Sequence, residues 1–379
     1  MADSSVVQLA VLLVNYSLEL KHGDLVRIDG GTVGAPLILE LYRAAIRAGA
    51  HPYTRVNVEG MEHILLAEGA PDQIAFVSEI ERREIEELDA MVTIWADRNT
   101  RSLSRRDPER MSRRMAAQRA LSNRYWDRID AGEARWVGTR FPTYAHAQDA
   151  EMSLEEYEAF VYGACHVLAG DDPVAHWQAV SAELSARAAE LQSYRELRVV
   201  GLDTDLRFSV DGRRWLAADG KLNMPDGEIF TSPLETETAG EIRFTFPAIF
   251  SGRAVEDVRL RFEAGRVVAA EAAVGDDYLQ SLLNMDEGAR ILGEAAFGLN
   301  YEIDRFTRDI LFDEKIGGTL HFALGSSFKQ LGGRNESGLH WDMICDLRDE
   351  GEVYADGELV WKAGRFLREP QPADAVAAG

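Results

Sequence analysis

Cysteine is almost missing from this chain of 379 residues, which has only Cys165 and Cys345. They lie too far apart in sequence to suggest a disulfide framework or a CxxC redox or zinc motif. So little cysteine fits a reducing compartment, and the expected location is the cytoplasm. Basic residues are also in deficit, with 41 Lys and Arg against 64 Asp and Glu and a net charge of -23. That balance excludes a nucleic-acid partner, which needs a basic surface, and an anionic membrane. It favours cations, including metal ions and ligands with a free amine, besides keeping the chain soluble. Long apolar runs are absent. Residues 6–14 are apolar but far short of the roughly 20 residues that span a bilayer. They follow Ala2-Asp3-Ser4-Ser5, which lacks the basic start of a signal peptide. The segment reads as the first helix of the fold. Internal repeats, low-complexity tracts, a G-x-S-x-G elbow and an HExxH helix are missing as well.

What is present alternates in the first half. Residues 25–28, 53–58, 90–95 and 135–137 read as strands, with helical stretches between them. Pro36 suits the first turn of a helix that runs to about Arg47 and stops at Gly49. Such alternation implies a parallel sheet with covering helices. Two helical stretches follow, at 153–168 and 173–191, and Ser153 with Glu156 has capping-box spacing. After Ser193 the texture changes to period-two strands such as Leu206-Arg207-Phe208-Ser209-Val210, separated by glycine turns. The expectation is an α/β N-terminal domain over residues 1–193 and an α+β C-terminal domain over 194–379, with a fraying tail after Glu369.

Several features carry no chemistry on this reading. Gly30-Gly31-Thr32-Val33-Gly34 follows a strand, but its spacing matches neither the dinucleotide fingerprint nor the P-loop. The run Arg101, Arg105, Arg106, Arg110, Arg113, Arg114 and Arg119 reads as a solvated face or an internal salt-bridge network. His22, His51, His63, His146, His166 and His176 have no close His or Cys partner at ligand spacing and read as structural or surface residues.

The second half holds two histidines. His340-Trp341-Asp342 enters a strand-like run, so His340 and Asp342 project to one side. They are ligand types for zinc, cobalt or manganese, or equally a surface ion pair. His321 sits in an apolar strand between glycine turns, as a ligand or as a satisfied core histidine. Glu228 is delivered at the start of a strand by the turn Pro225-Asp226-Gly227. Glu294 falls in an apolar stretch read as a helix over 282–297, where a carboxylate needs a partner: a metal, or Arg290 one turn earlier. Together these residues offer three carboxylates and two imidazoles, close to what two divalent cations need to hold a carbonyl and a water. Glu228 or Glu294 would then shuttle the proton.

The stretches NMPDGEIFTSP, DEGARILGE, IDRFTRDILFDEKIGGTLHFALG and GRNESGLHWDMICDLR, in that order, resemble the aminopeptidase T or AmpS-type family, and the similarity runs over nearly the whole chain. The resemblance implies an N-terminal α/β domain and a C-terminal domain carrying two metal ions. It also implies a homodimer enclosing a cavity, short peptides as substrates, and Glu228, Glu294, His321, His340 and Asp342 as the metal-binding positions. The family pattern has a tyrosine seven residues after the histidine of the GGTxH strand, where this chain has Phe328. Tyrosine could donate a hydrogen bond to an oxyanion, and phenylalanine cannot. Two other activities share the residues. A mononuclear iron ring-cleaving dioxygenase would use His321, His340 and Asp342 alone. A repurposed amidase or binding protein would be consistent with Phe328.

Overall fold

The computed structural model describes residues 3–370. The tail expected to fray after Glu369 lies, apart from Pro370, outside the described residues. The chain divides into two compact units, Met1–Trp177 with Gly220–Pro225, and Gln178–Asp219 with Asp226–Gly379. The division falls inside the helix Pro173–Leu191, earlier than the change of texture after Ser193, and six residues return to the first unit. The return has a physical cause. Asn223–Met224 adds a parallel strand beside Gly138 and Thr139, and the Thr139 hydroxyl donates to the Met224 carbonyl.

The first unit is built on a parallel sheet in the order His51–Asn57, Leu25–Gly31, Ala90–Trp95, Arg135–Arg140, Asn223–Met224. The helix Ala35–Arg47 has Pro36 in its first turn and buries Leu37, Ile38, Leu41 and Ala45, which share one helical stripe. Ser153 and Glu156 form the expected capping box. The arginine run is largely internal wiring. Arg110 donates to the Leu66 and Gly69 carbonyls, Arg114 to those of Ile74 and Phe76, and Arg101 pairs with Asp149. Among the described residues no helix is long and apolar enough to cross a membrane.

Two histidines that the sequence leaves without a role meet here. The rings of His166 and His176 stack with centroids 3.6 Å apart and planes 14° apart. Burial first, and then the neighbouring His166, lower the pKa of His176, while Asp171 opposes them. The folded protein therefore takes up this proton at lower pH than the unfolded chain. The stability it contributes is present above the ordinary histidine pKa and lost as pH falls through the lowered value. The unfolding midpoint should fall between pH 7.5 and 5, and His176→Gln should flatten that fall. An unchanged slope in the variant would remove the pair from the account.

The second unit has two antiparallel sheets. The larger runs Arg266–Glu271, Val258–Glu263, Thr238–Phe244, Thr204–Ser209, Glu196–Gly201, Glu352–Ala355, Glu358–Lys362, Arg365–Phe366. The smaller runs His340–Asp346, Thr319–Gly325, Leu292–Gly298, Glu228–Thr231, Trp215–Ala218. One core joins them. Ile229, Phe297, Leu320, Phe322, Leu324, Trp341 and Met343 of the smaller sheet share it with Leu206, Phe208, Ile242, Phe244 and Leu260 of the larger. Phe322 meets the rings of Phe208 and Phe244 edge-on. Each such side chain contributes about 1.5–3 kcal/mol by leaving water, which fixes the face that the smaller sheet turns inward.

The helix expected over 282–297 does not exist. A helix ends at Leu283, Glu287–Arg290 forms one 3-10 turn, and Leu292–Gly298 is a central strand. The alanines favour a helix locally, but pairing on both edges outweighs that propensity. Arg290 is not the partner of Glu294. It donates instead to the Val267 carbonyl and to Asn284 Oδ1.

Candidate metal centre

In an antiparallel sheet, directly opposed residues point to the same face. Register places Glu228 opposite Gly298, and Phe230, Ala296, His321 and Ile344 in one row. The next row holds Glu294, Ala323 and Asp342, and the last holds Gly325 and His340. Glu228, Glu294, His321, His340 and Asp342 therefore all project from the face that the core does not use. Ala296, Gly298, Ala323 and Gly325 on this face have little or no side chain, while Phe230 and Ile344 stand on either side of Ala296 and His321. A bulge between Leu292 and Glu294 sets the register of the glutamate. The extra residue is Gly293, where a Cβ would lie 2.4 Å from the Ser326 carbonyl oxygen.

The five side chains form one connected group. His321 Nε2 lies 3.7 Å from Glu228 Oε2 and 3.6 Å from Glu294 Oε1. His340 Nε2 lies 3.2 Å from Glu294 Oε2 and 3.6 Å from Asp342 Oδ1. Each imidazole is held from behind. His321 Nδ1 donates to the Glu314 carbonyl at 2.8 Å, and His340 Nδ1 to the Ser326 carbonyl at 2.9 Å. A carbonyl can only accept, so Nδ1 carries the proton and Nε2 is the atom turned to the group.

The electrostatics are those of a site built around cations. Burial pushes Glu228 well above the usual carboxylate range. Burial also raises Asp342, to about 6. Burial would raise Glu294 too, but hydrogen bonds and charge from His321 and His340 outweigh it and hold Glu294 at about 2. The same pairing overcomes desolvation of both imidazoles and lifts each to about 10. Glu228 Oε2 and Asp342 Oδ1 are buried with no hydrogen-bond partner among the described residues. Buried anionic oxygens normally find a donor or a metal. Together with two imidazole Nε2 atoms they form the mixed N,O set that suits a divalent transition ion.

Two neighbours, Glu314 and Lys315, escape the sequence reading. Glu314 joins His321 and Asp342 in a second set of groups close enough to hold an ion, besides the set Glu294, His340 and Asp342. Lys315 is fully buried, paired with Glu314 and 4.0 Å from Asp226 Oδ1. Glu314 precedes its strand inside a turn, so no face periodicity marks it. The only signal was the charged triplet Asp313-Glu314-Lys315 just ahead of Gly317-Gly318.

Phe328 stands beside the group. Its ring meets that of His340 edge-on at 5.4 Å and that of Phe230 at 5.3 Å. Gly325 closes the same edge with φ +103°, and a Cβ there would lie 2.1 Å from the Leu339 carbonyl oxygen. Strained backbone of this kind costs about 1–3 kcal/mol for a side-chain-bearing residue. Gly325→Ala should therefore lower the unfolding free energy by at least that amount, as read from urea titration. A variant as stable as the parent would show that the strand end can shift freely.

Residues 2–366 match the family model for thermophilic metalloprotease (M29). The chain is 28% identical to Aminopeptidase 2 of Geobacillus stearothermophilus, covering 95% of this chain and 97% of that protein. Its fold is similar to that of the solved wild-type AmpT of Thermus thermophilus, with a TM-score of 0.85, 24% identity, and 96% and 99% of the two chains covered. It is also similar to 2,5-dihydroxypyridine dioxygenase of Pseudomonas putida KT2440, with a TM-score of 0.63 and 14% identity over 97% and 98% of the chains. That likeness is one of fold.

Proposed function

We propose, since the chain belongs to the thermophilic metalloprotease (M29) family and is a metallo-aminopeptidase, that it removes N-terminal residues from short peptides with two divalent ions. The observation that carries the count of two is Glu294. Its two oxygens face different histidines, Oε1 toward His321 and Oε2 toward His340. A carboxylate placed so could serve as a ligand to two ions. On this reading Glu228 and His321 would hold one ion, His340 and Asp342 the other, and Glu294 both. Zinc, cobalt or manganese fits this donor set. The ions, when bound, would polarise the scissile carbonyl and lower the pKa of a bound water toward about 7.

The chain's own groups do the rest. The carbonyls of Glu314 and Ser326 fix the imidazole tautomers. Glu228 keeps one oxygen unpartnered at the edge of the group and would take the proton from the attacking water. On this reading the second unit, Gln178–Asp219 with Asp226–Gly379, would carry the site, and the first unit would be accessory. A homodimer that encloses the site would restrict access to short peptides.

The single-iron dioxygenase reading needs His321, His340 and Asp342 alone and leaves Glu228 and Glu294 as costly buried acids without a purpose. The family match does not favour it. The test is hydrolysis of a dipeptide amide beside its N-acetylated form. Cleavage of the free-amine substrate alone, abolished by chelation and restored by zinc, cobalt or manganese, is the expected result. Full activity in metal-free protein would end the proposal.

A further inference from the structure

The Glu314 carboxylate and Lys315 have no role in the two-ion reading as stated so far, yet both are placed against the site. The Glu314 carboxylate lies in one cluster with His321 and Asp342. Its side chain is 17% exposed, and that of Lys315 is 0% exposed. The Lys315 ammonium pairs with Glu314 and lies 4.0 Å from Asp226 Oδ1. A buried ammonium with no access to solvent cannot touch substrate, so its role is to fix charge and position. Glu228 Oε2, buried and without a hydrogen-bond partner among the described residues, lies 3.7 Å from His321 Nε2 of the same cluster, on a residue only 7% exposed.

We propose that Glu314 is a sixth metal ligand, to the ion beside His321, and that Lys315 is the buried cation that holds it and balances the site. The inference rests on the two-ion reading. A carboxylate has two oxygens: one takes the Lys315 ammonium, and the other is left for the ion. The backbone of Glu314 already orients His321 through its carbonyl, so one residue sets both the imidazole and the carboxylate of that ion's shell.

The test is titration of metal-free protein with cobalt(II), read by calorimetry and by the cobalt absorption bands, in the parent, Glu314→Gln and Glu314→Asp. The parent should take two equivalents. In Glu314→Gln one equivalent should weaken by more than the roughly 10- to 100-fold that loss of an outer-shell partner causes, with a changed absorption band, while the other equivalent is unaffected. Glu314→Asp keeps the charge and withdraws the carboxylate by one methylene. It should also weaken one equivalent and shift its band, so the inference can be checked even if the glutamine variant does not fold. Two equivalents with parental affinities and bands in the variants would overturn the inference and leave the two-ion reading standing. A single equivalent in the parent would overturn the two-ion reading itself.

Discussion

Glu294→Ala is expected to lose both metal ions and essentially all peptidase activity together. Its Oε1 is 3.6 Å from His321 Nε2 and its Oε2 is 3.2 Å from His340 Nε2, so each carboxylate oxygen faces one imidazole. Removing an outer-shell partner of a metal ligand already costs about 10- to 100-fold in affinity, and removing a shared first ligand must cost more at each centre. The strand itself should survive. Leu292, Ala295 and Phe297 anchor it in the core, and Ala replaces a carboxylate whose burial is itself costly. The predicted outcome is a folded protein, judged by circular dichroism and its unfolding midpoint, that retains no metal after dialysis. Glu228→Ala should differ. It should weaken only the ion beside His321 and leave the one beside His340 in place. If Glu294→Ala keeps both ions and its activity, the glutamate is not the bridge.

Phe328→Tyr is expected to raise kcat, by up to the roughly 10²- to 10³-fold attributed to one oxyanion donor, with metal content unchanged. The ring is already held against His340 and Phe230, so the added hydroxyl is positioned without new packing. The backbone N–H of Phe328 is anchored on the Ser232 hydroxyl, which keeps the loop in place in both forms. A hydroxyl used only in the transition state should raise kcat with little change in KM. A rise in affinity alone would assign it to ground-state binding, and no change would mean that this chain stabilises the developing negative charge through other groups.

The residues that share one face of the smaller sheet are more legible in the sequence than the elements that carry them. His340 and Asp342 were paired by strand periodicity, and the register bears out their common face. Glu228 was placed correctly at a strand start after a turn. Glu294 stands out in the sequence as a carboxylate in apolar surroundings, and it is buried, but on a strand and not on the expected helix. Its neighbours Gly293, Ala295 and Ala296 have little intrinsic preference for a strand. Only pairing with the His321 and Glu228 strands makes it one, and that information lies about 25 residues away on one side and about 65 on the other. Glu314 and Lys315 were invisible for a related reason. They reach the site from a turn, where neither helical nor strand periodicity applies, and only the return of the chain brings them beside Asp226. The strand Asn223–Met224 is two residues long, too short for any pattern, so its membership of the first unit could not be read.

The most direct measurement is the metal content of the purified wild-type chain after exhaustive dialysis, taken with its activity on a free-amine dipeptide amide. The account predicts about two divalent ions per chain, with activity rising in step with their return to stripped protein. One iron per chain, with no hydrolysis at any metal loading, would contradict it.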